Sequence, residues 1–189
     1  MKTEAKTEST VMFVLRLALT LFLISAITAG LLAGVNSITA PLIEQLNQQK
    51  QIDAMAAVVP DADTAELVDY VDPNGVILEV YKTASAYAVK VAAPGGFSGS
   101  IEMMVGVDAA GNVLGISVIN HGETAGLGAI AADKTSKGEA FRNQFIGMSD
   151  SVTVSKDGGS VEAITGATIT SRAVCNGINA ALDYVKNAG

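Results

Sequence analysis

The residues from Gly99 to Asn120 read GSIEMMVGVDAAGNVLGISVIN. Strand-like runs with period-two patterning and many β-branched residues lie on both sides of the turn from Asp108 to Gly111. Two such runs joined by a short connection that contains Gly are typical of an antiparallel hairpin. The stretch therefore predicts a β-hairpin.

Two further runs of the same kind precede this hairpin. VILEVYK covers residues 76–82 and AYAVKVAA covers residues 86–93. Turn sequences at Asp72–Gly75 and Pro94–Gly96 bound them. Because the connections are short, we expect consecutive strands to pair as an antiparallel meander.

Helical patterns surround this block of strands. Asp133–Phe145 predicts a helix, and Ile169–Val185 predicts a C-terminal helix with one apolar stripe. Ser151–Ser155 is interpreted as a further short strand, and the acidic segment 60–69 as a turn or short helix. The predicted fold class is α+β, with an antiparallel sheet and flanking helices.

The run from Leu17 to Val35 contains nineteen residues and no charge. A helix of this length crosses a hydrocarbon core of ~30 Å at ~1.5 Å per residue. The alternative, a cleaved signal peptide, usually has a shorter apolar region followed by a small-residue cleavage site. The run is longer than that and no convincing site follows, which favours a retained membrane anchor.

The charges predict the orientation of this anchor. Lys2, Lys6 and Arg16 precede it, and the next basic residue is Lys50, so the positive-inside rule places the N-terminus in the cytoplasm. The part from Asn36 onward carries nine basic and seventeen acidic residues, a net charge of −8. The predicted organisation is a cytoplasmic N-terminus (1–16), a transmembrane helix (17–35), a helical stalk (36–59) and an extracytoplasmic domain (60–189) of a single-pass cell-membrane protein.

Composition excludes several classes of protein. The chain has 189 residues, one Cys, one His and a formal net charge of −7. One Cys cannot form an internal disulfide, and one Cys with one His cannot complete a zinc site or an iron–sulfur cluster. An acidic chain is also a poor nucleic-acid binder. We therefore expect no metal site and no nucleic-acid partner, and no residue of the chain is assigned a catalytic role.

The segment Glu162–Arg172 reads EAITGATITSR and leads into the predicted C-terminal helix. A helix N-terminus offers unpaired N–H groups and the positive end of the helix dipole, which stabilise a phosphate. Small residues allow close approach of the backbone, and hydroxyl groups add donors. The pattern alone favours the alternative, a structural Thr or Ser helix cap, because such caps are common.

This segment resembles the attachment motif [DE]xx[ST]GATxTS of flavin-carrying electron-transfer subunits. These are the G subunit of the Rnf complex and the C subunit of the sodium-pumping NADH:quinone reductase. In that family a flavin transferase esterifies the Thr that closes the GAT triplet, so that FMN is held through a phosphodiester. The resemblance places this attachment at Thr168, with Thr165, Gly166 and Ala167 matching the preceding positions. Glu162 stands where the family usually has Asp, and Thr170 is a competing ester site of lower rank.

A second stretch, Gly95–Ala129, resembles the family's pattern of GFSG, a strand hairpin and then HxETPGLG. His121 and Glu123 match this pattern, whereas Ala125 replaces the usual Pro. The resemblance extends over nearly the whole chain, including the N-terminal span. It implies that FMN contacts both motifs, and the expected FMN-binding residues are Glu123, Thr124, Leu127, Gly128, Thr165, Gly166, Ala167, Ile169 and Thr170.

The resemblance implies an electron-transfer subunit that carries covalent FMN in a membrane complex coupling ferredoxin:NAD⁺ electron transfer to ion translocation. Its partners would be other membrane subunits and, during maturation, a flavin transferase. The compact chain favours the Rnf protein over its quinone-reductase counterpart. A non-redox membrane-anchored assembly module and a freestanding flavin reductase are the alternatives, so turnover by the isolated chain stays open.

Two single residues have structural and chemical interpretations. His121 is more typical of a structural or exposed His than of a catalytic base, because no paired nucleophile is apparent. Cys175 could be a redox thiol, but its apolar neighbours in the C-terminal helix favour a small buried side chain.

Overall fold

The computed structural model describes residues 10–188, which divide into one unit up to Asn47 and a second unit from Gln48 onward. Helix α1 covers Thr10–Val58 and contains Pro41. Among the described residues, it is the one helix that is long and apolar enough to cross a membrane. One helix thus runs through both the predicted transmembrane segment and the predicted stalk, and the membrane boundary between them stays a prediction.

The second unit contains a five-stranded antiparallel sheet with neighbouring strands in chain order. This confirms the predicted meander. The strands are β1 (Glu66–Val68), β2 (Ile77–Lys82), β3 (Ala86–Gly96), β4 (Gly99–Asp108) and β5 (Val113–Asn120).

The sequence of the acidic segment 60–69 predicts only a turn or short helix, but the structure also contains strand β1 there. A 3₁₀ turn at Ala62–Thr64 is present, and β1 follows it and pairs with β2 through Glu66 opposite Lys82. A strand of three residues is too short to show period-two alternation. Pairing with its neighbour, rather than its own pattern, therefore determines its structure.

The predicted break at Pro94–Gly96 is displaced. Strand β3 continues to Gly96, which pairs with Gly99 after an irregularity in the register that begins at Ala93. Such irregularities accommodate Pro, which cannot donate to the ladder. The chain therefore turns at Phe97 and Ser98.

The expected helix over Asp133–Phe145 is shorter in the structure. A 3₁₀ turn at Gly128–Ala131 precedes helix α2 (Ser136–Asn143), whose N-cap Thr135 accepts a hydrogen bond from the backbone N–H of Gly138 at 3.4 Å. The cap makes the helix begin at this point. The C-terminal helix, α3, covers Thr168–Ala188, close to its predicted bounds.

The predicted strand at Ser151–Ser155 is wrong. Only an isolated bridge between Val154 and Val161 occurs, and Ser155–Asp157 forms a 3₁₀ turn. The side chain of Asn179 donates to the carbonyl of Val152 at 2.8 Å and accepts from its N–H at 2.7 Å. Both main-chain groups of Val152 are thus paired with a helix side chain instead of a neighbouring strand.

The two faces of the sheet are covered by different helices. Helix α3 packs on one face, where Val91, Met103 and Ile178 belong to the main core. The end of α1 packs on the other face, where Val58 and Met104 belong to a second buried cluster. Met103 and Met104, adjacent in β4, are both fully buried because both faces of the sheet are covered.

A polar network also holds the end of α1 on the sheet. Gln51 donates to the carboxylate of Glu79 at 2.6 Å and to the hydroxyl of Tyr81 at 2.8 Å, while Lys90 donates to both Gln51 and Glu79. Burial beside Glu79 raises the pKa of Tyr81 to about 12. Burial alone would raise the pKa of Glu79, but hydrogen bonds from Tyr81 and Lys90 outweigh it and lower that pKa.

Gly177 allows α3 to approach the sheet closely. A Cβ atom at this position would lie 2.5 Å from Cε of Met103 and 2.7 Å from Cβ of Ala93. Both distances are shorter than ordinary carbon contacts. Any side chain at position 177 would therefore push α3 away from the sheet.

The Gly177→Ala variant is expected to lower the free energy of unfolding by about 1–3 kcal/mol, because overpacking shifts α3. In an exposed helix interior the same substitution would raise stability by about 1 kcal/mol, so the sign of the effect is diagnostic. Denaturant unfolding of the full chain in detergent measures it. The control is Asn176→Ala at the exposed neighbouring position, and a Gly177→Ala midpoint at or above that of the wild type would contradict overpacking.

Candidate functional site

A cavity of 340 Å³ lies where four segments of the second unit meet. These segments are the β3–β4 turn, the loop after β5, the 3₁₀ turn at Ser155–Asp157 and the first turn of α3. The cavity is lined by Phe97, Glu123, Thr124, Leu127, Gly128, Lys156, Gly166, Ala167, Thr168, Ile169 and Thr170.

The structure brings nine of the ten predicted site residues to this cavity. The exception is Thr165, which is exposed and lines a neighbouring groove with Glu162 and Lys137. Phe97 and Lys156 line the cavity but were missed as site residues. Phe97 belongs to the GFSG stretch and could have been found there, whereas Lys156 stood only in a turn between predicted elements.

The backbone before α3 turns sharply and exposes the helix N-terminus. Gly166 has φ +78°, a conformation that favours glycine, and the N–H of Ala167 donates to the carbonyl of Ile164 at 2.9 Å. The hydroxyl of Ser171 accepts from the N–H of Ile164 at 3.0 Å and donates to the carbonyl of Ala167 at 3.0 Å. This arrangement places half-buried Thr168 at the first position of α3, where helix N–H groups have no partner within the helix.

Lys156 provides a positive charge at this helix end. Its ammonium group donates a hydrogen bond to the hydroxyl of Thr168 at 3.1 Å. The adjacent Asp157 accepts two hydrogen bonds from the guanidinium of Arg172, at 2.6 and 2.7 Å. These bonds lower the pKa of Asp157 and fasten the turn that carries Lys156 to α3.

Glu123 forms the buried polar floor of the cavity. Its side chain is 8% exposed, accepts from the hydroxyl of Thr170 at 2.5 Å and accepts from the N–H of Ser98 at 3.2 Å. A Cβ atom on Gly128 would overlap both the Glu123 carboxylate and the Thr170 hydroxyl. Glu123 therefore links the β3–β4 turn to α3, and the contact requires glycine at position 128.

Apolar side chains at the cavity stay accessible to solvent. Phe97, Leu127 and Ile169 are 69%, 43% and 47% exposed, respectively. Exposed apolar side chains grouped around a cavity indicate a binding surface. An apolar wall next to an ammonium group and a helix N-terminus suits a ligand that has a flat ring system and a phosphate.

His121 and Cys175 do not line this cavity. Nδ1 of His121 accepts from the N–H of Glu123 at 3.2 Å, which is a structural role within the loop. Cys175 is 2% exposed, and burial raises the pKa of its thiol to about 11, as expected for a small buried side chain. In residues 10–188, no group of three or more His, Cys, Asp or Glu side chains could hold a metal ion.

The fold and the cavity indicate the class of protein: one with an apolar N-terminal helix and a domain whose cavity suits a phosphate compound with a ring system. Family comparison specifies the compound. Residues 96–183 match the FMN-binding domain, and residues 12–58 match the RnfG N-terminal region. FMN is therefore the cofactor of this domain. The Lys156 ammonium group and the N-terminus of α3 suit its phosphate, and the exposed apolar side chains at the cavity suit its ring.

Whole-chain relatives agree with this result. The chain is 34% identical to the G subunit of the Na⁺-translocating ferredoxin:NAD⁺ oxidoreductase complex of Acetobacterium woodii, over 99% of both chains. It is 37% identical to the proton-translocating counterpart of Clostridium ljungdahlii over 84% of both chains. It is also 37% identical to the G subunit of the ion-translocating oxidoreductase complex of Yersinia pestis over 90% of both chains. The chain belongs to the RnfG family, and its apolar helix makes it a single-pass membrane-anchored member.

The Thr170→Val variant is expected to lower the free energy of unfolding by about 1–3 kcal/mol, because it removes a hydrogen bond from the buried Glu123 carboxylate. Thr165→Val is the matched control, because it makes the same change at an exposed position of the same motif. Thermal unfolding of both variants in detergent compares them. Equal midpoints would show that the contact between Thr170 and Glu123 contributes nothing to stability.

Proposed function

We propose that this chain is the electron-transfer subunit of an Rnf-type complex and carries FMN bound covalently to Thr168. The observation that carries the proposal is the position of the Thr168 hydroxyl. It lies at the start of α3, lines the 340 Å³ cavity and accepts a hydrogen bond from Lys156. A phosphodiester at this atom would be next to a cation and to the N–H groups of a helix N-terminus.

The other hydroxyl groups of the motif are less suitable for attachment. Thr170 is 1% exposed and its hydroxyl donates to Glu123, while Ser171 is fully buried and bonds Ile164 and Ala167. Thr165 is exposed but does not line the cavity. Among the hydroxyl groups of the motif, that of Thr168 is therefore the one that is both accessible and at the cavity.

Different residues of the cavity would contact different parts of the cofactor. Lys156 and the first turn of α3 would hold the phosphate, and Phe97, Leu127 and Ile169 would border the ring. When bound, FMN supplies transfer of one or two electrons. Glu123, fixed by Thr170 and Ser98, would keep the floor of the cavity rigid, which preserves the geometry around the ring.

The relatives suggest the setting of this electron transfer. Two of them are named as subunits of ferredoxin:NAD⁺ oxidoreductase complexes that translocate Na⁺ or protons. By analogy, the chain would pass electrons between neighbouring membrane subunits, and those subunits would carry out the ion translocation. Maturation would require a flavin transferase as a further partner.

The Thr168→Val variant is expected to lose all covalently bound flavin, because valine has nearly the same shape as threonine but lacks the acceptor oxygen. The full chain is expressed with a flavin transferase, and intact-mass spectrometry detects the addition of FMN less one water. Peptide mapping then locates the modification. Thr64→Val makes the same change at an exposed position outside the motif and the cavity, so it is expected to retain the flavin and serves as the control.

A wild-type chain without added mass, or a Thr168→Val chain that keeps it, would refute attachment at Thr168. Flavin that dissociates on denaturation of the wild type would refute the covalent bond while leaving FMN binding intact. These results therefore separate the attachment from the cofactor.

We further propose that the FMN-binding domain is extracytoplasmic, because the basic residues Lys2, Lys6 and Arg16 precede the span whereas the domain behind it is acidic. In intact cells, a membrane-impermeant maleimide is expected to label Ser151→Cys, which is at an exposed position. Ser9→Cys is expected to react only after permeabilisation. The unmodified chain is the background control, since Cys175 is buried, and the opposite labelling pattern would reverse the orientation.

A further inference from the structure

The residues around the Thr168 hydroxyl suggest how it is prepared for modification. Within the described residues, Lys156 is the side chain whose hydrogen bond to this hydroxyl is observed, at 3.1 Å. Lys156 is itself exposed and lies twelve residues before Thr168. The position of the Lys156 side chain therefore depends on the contacts that hold the 3₁₀ turn at Ser155–Asp157.

That turn is held by the helix that carries the acceptor. Arg172 lies one helical turn after Thr168 and binds Asp157 through two hydrogen bonds of 2.6 and 2.7 Å. Gly159 adds a second constraint, because a Cβ atom there would overlap the carbonyl oxygen of Thr153. The turn is thus packed tightly on one side and paired to α3 on the other.

We propose that Lys156 promotes transfer of FMN to Thr168 and then pairs with the resulting phosphodiester, with Asp157 and Arg172 as positioning residues. This inference rests on the proposed function. Because the ammonium group donates to the threonine oxygen, the hydroxyl hydrogen is free to point elsewhere and be removed. A cation at this distance also stabilises the negative charge that develops on the oxygen and on the incoming phosphate.

The reaction is a phosphoryl-group transfer without oxidation or reduction. The co-reactant is an FMN phosphoanhydride, such as a flavin dinucleotide, held by the transferase. The Thr168 oxygen forms a bond to the FMN phosphorus, and the anhydride bond breaks so that the nucleoside monophosphate leaves with the electron pair. The hydroxyl proton passes to a base of the transferase or to water, and Lys156 keeps its charge throughout.

The test is the rate of FMN incorporation into purified, unmodified full-length chain by a flavin transferase supplied with flavin dinucleotide. For Lys156→Met, kcat is expected to fall about tenfold or more, while the KM for the acceptor chain changes little. Lys156→Arg is expected to recover much of the rate because it restores the charge. Lys137→Met is the matched control, since Lys137 is exposed and lines the neighbouring groove instead of the cavity.

A Lys156→Met chain with wild-type kcat would overturn the inference, and so would a variant in which only KM rises, because that pattern indicates docking of the transferase. In chains modified to completion, the phosphorus-31 resonance is expected to shift in Lys156→Met and not in Lys137→Met. An unchanged resonance would exclude pairing with the phosphodiester. Failure of the wild type itself to be modified would refute the proposed function, whereas equal rates of modification of wild type and Lys156→Met would refute only this inference.

Discussion

The close approach of α3 to the sheet at Gly177 determines where the functional residues lie. With no Cβ at this position, the helix packs against Met103 and Ala93, and its first turn is thereby placed beside the loops at the end of the sheet. Three residues at alternate positions of that first part of the helix then bond to other segments. Thr168 accepts from Lys156, Thr170 donates to Glu123, and Arg172 donates to Asp157.

Opposite charges on the two sides of the first turn give neighbouring threonines opposite roles. The Glu123 carboxylate lies on the buried side and uses the Thr170 hydroxyl as a donor, so that this hydroxyl is occupied and inaccessible. The Lys156 ammonium lies on the exposed side and uses the Thr168 hydroxyl as an acceptor. The sequence ranks Thr168 above Thr170 only through family resemblance, and the difference in accessibility and hydrogen bonding is what supports the proposal of attachment at Thr168.

Features with a local pattern were predictable, and features made by tertiary contact were not. Period-two alternation predicted the four longer strands and their meander, and the apolar stripe predicted α3. The segment around Val152 has the composition of a strand, but Asn179, a residue of α3, takes its hydrogen bonds. Lys156 could not be assigned to the site from its surroundings in the chain, since its place depends on the ion pair between Asp157 and Arg172.

The shape of the cavity also gives a reason for a covalent bond under the proposed function. Phe97, Leu127 and Ile169 are substantially exposed, so the cavity cannot retain a ligand by complete burial. A bond through Thr168 would make retention independent of buried area, and one edge of the ring could then stay accessible to partner subunits. The chain contains one Cys and one His, too few to hold an iron–sulfur cluster, and this scarcity is consistent with the use of an organic cofactor.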